Sequence, residues 1–93
     1  KIDVEGAEKI LIEGAKNTLT SGFAPILVIE LSKHTCNAFG YEPEELVDLV
    51  LSMHKYKIEW WHMGSKFKVD PNQRLPHYDV VGEHHGSNYF FIP

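Results

Sequence analysis

The sequence predicts an α/β fold: a sheet of about four strands, a parallel pair plus an antiparallel last strand, with two main helices. Three observations predict it. A short extended start is followed by helical spacing and then by the continuous apolar run Ile26-Leu27-Val28-Ile29. Strand, helix, strand in that order makes a right-handed crossover with parallel neighbours. A second helical stripe leads into the alternating segment Lys57–His62. No helical pattern separates that segment from the apolar stretch Asn88–Ile92, so these two strands are expected to be antiparallel neighbours.

Lys1 and Ile2 read as a strand end. Asp3 and Glu5 follow, and Gly6 turns the chain into a helix over residues 6–20. Ala7, Ile10, Leu11, Ala15 and Leu19 form its apolar stripe at three- and four-residue spacing, with Glu8, Lys9, Glu13 and Lys16 mostly off it. Ser21-Gly22 supplies the stop, with Gly22 suited to a left-handed cap. Pro25 forces extended backbone, and the unbroken apolar run to Glu30-Leu31 suggests a strand covered on both faces. Residues 32–42 read as a loop. Pro43 suits the first position of the next helix, whose stripe is Leu46, Val47, Val50 and Met53 and whose end falls near Lys55. Charge alternation over Lys57–His62 suggests an edge strand. A long connection with turns at Asp70-Pro71-Asn72 and Pro76 follows, and Val80-Val81 reads as a brief extended piece. Asn88–Ile92 is apolar enough to lie inside the sheet, between the second and third strands.

With 93 residues, the chain suits one domain or part of one. The net charge of −4 argues against a nucleic-acid binder, which would be basic. No apolar run approaches the roughly 18 residues needed to cross a bilayer, so no membrane partner is expected. Cys36 is the single cysteine and cannot form an internal disulfide. That fits a reducing compartment, and a cytoplasmic location is the expectation.

Topology gives a site hypothesis. Two parallel strands end at one rim, and an antiparallel last strand begins at the same rim. Asp3, Glu5, Glu30, Ser32, His34, His84, His85 and Asn88 should therefore converge there. Carboxylates beside hydroxyl-bearing ligands can act as bases or orient groups, while acidic residues at a helix start also simply complement its dipole. The histidines lack tight ligand spacing, so no metal is expected. Trp60, Trp61 and Tyr56 read as packing residues.

Lys1-Ile-Asp-Val-Glu-Gly-Ala-Glu8, Glu13-Gly-Ala15, Pro25-Ile-Leu-Val-Ile-Glu-Leu31 and the terminal Asn88-Tyr-Phe-Phe-Ile-Pro93 together resemble the carboxyl-terminal half of the FkbM-type methyltransferases. The resemblance is strongest over residues 1–31 and 88–93. It implies a partial Rossmann-like methyltransferase sheet made of that fold's fourth to seventh strands, the seventh lying between the fifth and sixth. S-adenosylmethionine is the implied cofactor, and a hydroxyl of a small molecule or sugar is the implied acceptor. Asp3, Glu5 and Glu30 become the candidate catalytic residues, with Asp3 also toward the cofactor and His34, His85 and Asn88 toward the acceptor. No Gly-x-Gly motif occurs in the chain. Residues 1–93 are thus expected to be one part of a single domain whose cofactor-binding half is absent, and to be inactive alone. The rival expectation is a non-catalytic α/β module that binds through an open sheet edge.

Overall fold

The computed structural model describes all residues, Lys1–Pro93. Four strands, β1 (Leu27–Leu31), β2 (Lys57–His62), β3 (Ser65–Lys68) and β4 (Ser87–Ile92), form one open sheet. Its order is β1-β4-β2-β3, and every strand pair is antiparallel. Five helices accompany it: α1 (Glu8–Gly14), α2 (Lys16–Leu19), α3 (Lys33–Ala38), α4 (Pro43–Met53) and α5 (His77–Val80).

β4 lies inside the sheet, between β1 and β2, as its apolar sequence predicts. The parallel strand pair does not form. Its remnant is a single parallel bridge between Ile2 and Ile29. The Ile2 N–H donates to the Val28 carbonyl at 2.7 Å and the Glu30 N–H to the Ile2 carbonyl at 3.1 Å. The chain leaves the ladder directly afterwards, because Glu5 (φ 52°) and Gly6 (φ 104°) start a turn in left-handed conformations.

Strand alternation sorts the side chains. Leu27, Ile29, Leu31, Ile58, Trp60, Tyr89 and Phe91 are buried together with Ile12, Leu19, Leu46, Val47 and Val50 of the helices in one apolar core. The register places Val28 beside Phe90 and Glu30 beside Asn88 on the opposite face, where the side chains are half-buried or exposed.

β2 is not the edge strand. A two-residue turn at Met63 (φ 48°) and Gly64 (φ 79°) folds Ser65–Lys68 back onto it, the geometry favoured for tight hairpins, and β3 becomes the edge. Residues 32–42 are not all loop. The Ser32 hydroxyl accepts from the Thr35 N–H and caps α3, as a serine at this position is suited to do. Val80 closes α5 and Val81 caps it, so neither is extended. α4 begins with Pro43 as expected, and Glu42 and Glu45 close a reciprocal capping box around its first turn.

The first helical stretch breaks at Ala15 into α1 and α2, and its inward face is rotated from the one the spacing suggests. Glu8, Ile12 and Leu19 are buried, while Ile10 and Leu11 are exposed. The rotation is set by tertiary contacts at Gly6. A β-carbon there would overlap the Thr35 carbonyl oxygen and the Phe39 ring, so the chain comes that close to α3 only as glycine. The Tyr41 hydroxyl donates to the Gly6 carbonyl at 2.7 Å in a buried hydrogen bond.

Candidate functional site

The acidic turn and the end of β1 meet at one rim. Asp3 and Glu5 lie on the turn that follows the Ile2 bridge, and Glu30 is the fourth residue of β1. Carboxylate oxygens from all three lie within 4.8 Å of one another. The positive φ of Glu5 and Gly6 bends the chain so that Asp3 and Glu5 double back toward the strand. The Gly6 clamp by α3 and Tyr41 fixes that bend.

Glu8 supports the turn from below. It is 1 % exposed, and its Oε1 accepts the Val4 N–H at 3.0 Å. Its Oε2 is buried without a partner. Buried polar atoms are nearly always bonded, so this oxygen is one of the few polar atoms the fold leaves idle. The spacing places Glu8 off the apolar stripe, and its burial follows from the rotation of α1.

Negative charge accumulates at Glu30. Its contact with the Asp3 carboxyl, its partial burial and the nearby charges of Asp3, Glu5 and Glu8 push its carboxyl up to about 7 from an ordinary 4.5. Carboxylates this close resist simultaneous ionisation, so one keeps its proton into the neutral range. A carboxyl that exchanges its proton near neutral pH is suited to general acid–base work. Oxygen donors in this arrangement are also common on protein surfaces without any ion, and the trio by itself assigns no metal.

The remaining candidates fall around this corner in different ways. Asn88 is the register partner of Glu30 across the β1–β4 pair. His85 lies in the turn before β4 and lines a shallow groove of about 550 Å³ with His62, Val81, Gly86 and Ser87. His34 is exposed in the first turn of α3, and His84 is exposed in the same turn as His85. Ser32 is buried as the cap of α3. The acidic trio is the one set among these candidates whose side chains gather closely enough to share a ligand.

Sequence reasoning missed three contributors. His62 ends β2 and its ring stacks on Trp60 with centroids 5.2 Å apart; the strand pattern gives no sign that it reaches the groove. Tyr41 braces Gly6 from 35 residues away, a contact no local pattern encodes. Gly86 lies against Glu30: a β-carbon on it would overlap the Glu30 Oε1. A glycine directly before an apolar strand was the available signal.

An α/β sheet with acidic groups gathered where a strand ends has the layout of a ligand-handling corner. The family model of the methyltransferase FkbM domain matches residues 1–58, the segment that carries the whole acidic trio, and the chain belongs to that family. No curated protein and no solved structure matches it.

Proposed function

We propose that this chain forms the acceptor side of an S-adenosylmethionine-dependent O-methyltransferase acting on a hydroxyl of a small molecule or sugar. The observation that carries the reading is the joining of Asp3, Glu5 and Glu30 within the segment matched by the methyltransferase family. The donor set fits the cationic end of that cofactor, since carboxylates complement a sulfonium. Asp3 and Glu5 are the residues that would face it. When bound, the cofactor supplies an electrophilic methyl group.

The chain's own part is positioning and proton handling. Above about pH 7 Glu30 is a carboxylate that can accept the acceptor's hydroxyl proton on an Oε. Asn88, its register neighbour, offers an amide to orient that hydroxyl. Holding the hydroxyl in one geometry lowers the barrier by removing the cost of bringing reactants together. The turn clamped at Gly6 keeps the carboxyls from relaxing apart.

The test is methyl transfer by the full-length protein from isotopically labelled donor to a panel of hydroxylated small molecules and sugars. Glu30→Gln is expected to lower the rate roughly 10²- to 10⁴-fold, the usual contribution of a positioned base, with an unchanged circular dichroism spectrum. Transfer that survives Glu30→Gln would remove Glu30 from the chemistry. Failure of every hydroxyl acceptor would overturn the substrate class and favour a non-catalytic module.

A further inference from the structure

Charge is unevenly spread along this acidic chain. Residues 55–74 hold five of its nine lysines and arginines but two of its thirteen acids. The β2–β3 hairpin gathers three of those lysines on one side. Glu59 and Lys68 are register partners, as are Trp61 and Lys66, and side chains two apart on a strand share a face. Lys57, Glu59, Lys66 and Lys68 therefore project from the same face, and all four line one cavity of about 510 Å³. It is the face turned away from the core, since Ile58 and Trp60 are the buried residues of β2.

One acid meets three lysines there, and it is already engaged. The Glu59 Oε1 lies 3.4 Å from the Lys66 Nζ, and its Oε2 accepts the Trp61 Nε1–H at 3.3 Å. Asp70, the next acid along the chain, is turned into its own loop, where Oδ1 accepts the Asn72 N–H at 2.9 Å. Neither Lys57 nor Lys68 has an ion-pair partner. Lys68 stands opposite Glu59 and Lys57 two residues before it, so the two lysines are diagonal neighbours, about 7–8 Å apart across the strands. Long side chains at that spacing can close on one dianion from both sides.

We propose that this cavity binds a phosphate monoester, held between the Lys57 and Lys68 ammonium groups. Such a group carries a charge of about −1.5 to −2 at neutral pH, which matches two unpaired lysines, and lysine binds phosphate as a point charge. The cavity is of small-molecule size. Pro71 and the lysine stems offer apolar surface to the rest of the ligand. Lys57 is anchored for the task, because Tyr56 and Ile58 on either side of it are buried and the Tyr56 hydroxyl donates to the Pro25 carbonyl at 3.0 Å. The site also lies away from the acidic rim. β1 and β2 both run antiparallel to β4, so the start of β2, where Lys57 stands, is at the end of the sheet opposite Glu30. A phosphate bound there is kept from the Asp3, Glu5 and Glu30 carboxylates, and the proposal stands apart from the methyltransferase reading.

The test is backbone-amide NMR of the full-length protein titrated with phenyl phosphate, inorganic phosphate and phenol. Phenyl phosphate is expected to give saturable shifts centred on Lys57, Lys66, Lys68 and Val69. Inorganic phosphate is expected to move the same amides at severalfold higher concentration, and phenol to move none. Lys57→Gln and Lys68→Gln should each weaken phenyl phosphate about threefold, and Glu59→Gln, which removes the one acid and frees Lys66, should tighten it about twofold. Shifts that do not saturate, or that spread evenly over the other lysines, overturn the site. Unchanged binding in both lysine variants overturns it as well. Weaker binding by a folded Glu59→Gln variant overturns the charge argument. Inorganic phosphate binding as tightly as phenyl phosphate overturns the monoester as the ligand class.

Discussion

Replacing Glu30 by glutamine should stabilise the fold at alkaline pH. Glu30 carries a carboxyl held at about 7 in the folded protein against an ordinary 4.5. Below pH 4.5 both folded and unfolded chains hold the proton, and the group is neutral in its effect. Between 4.5 and 7 the folded state keeps a proton that the unfolded state has released, so stability falls as pH rises. Above 7 the full cost of ionising Glu30 beside Asp3 is present. At about 1.4 kcal/mol per pH unit the ceiling is about 3 kcal/mol. Solvent reaches much of the side chain and screens the repulsion, which brings the expected effect to about 1 kcal/mol. Glutamine keeps the shape and loses the charge. Urea unfolding of native protein and Glu30→Gln at pH 5 and pH 8.5 measures it. The variant should gain about 1 kcal/mol relative to native at the higher pH and little at the lower. A variant less stable than native at pH 8.5, or a native protein with no excess pH slope over it, would refute the crowding of charge inferred at this corner.

Other outcomes follow from the same structure. His77 is 0 % exposed, bonds the Tyr89 hydroxyl through Nδ1 at 2.7 Å, and is pushed down to about 4 by burial. His77 should therefore contribute a loss of up to about 3 kcal/mol as pH falls from 6.5 to 4, opposite in sign to the Glu30 contribution in that window, and His77→Phe should remove it in urea titrations. Gly6→Ala should cost at least about 2 kcal/mol, because a left-handed φ and a backbone overlap are both imposed, read from urea unfolding. Tyr41→Phe should cost about 1 kcal/mol for its buried hydrogen bond to Gly6, read from the thermal midpoint. Cys36 is buried, and burial pushes its thiol up, so a thiol reagent should label it only at the rate of unfolding.

Elements specified by their own residues were legible in the sequence. α4 carries its proline, its capping glutamates and its apolar stripe within one segment. β4 was readable as interior because Tyr89, Phe90 and Phe91 leave almost no polar face. The convergence of Asp3, Glu5 and Glu30 was legible because a strand end and a neighbouring turn bring them to one rim in any such topology. What distant contacts decide was hidden. The rotation of α1 that buries Glu8 and exposes Ile10 depends on Gly6 meeting Thr35 and Tyr41. β3 is Ser-Lys-Phe-Lys with every residue exposed; the Met63-Gly64 turn and the partner strand make it a strand, not its own pattern. The burial of His77 rests on Tyr89 and Trp60 rings that lie far along the chain.

The last-synthesised of the four strands occupies the middle of the sheet. On the ribosome, β1 and β2 each wait with a sticky flank until Ser87–Ile92 emerges, and neither can use the other in its place. Assembly therefore waits on β4 and rests on pairings of long sequence separation, which slow folding. Shortening β4 by even a few residues should leave two unjoined pieces rather than a smaller sheet, since β4 alone joins β1 to β2.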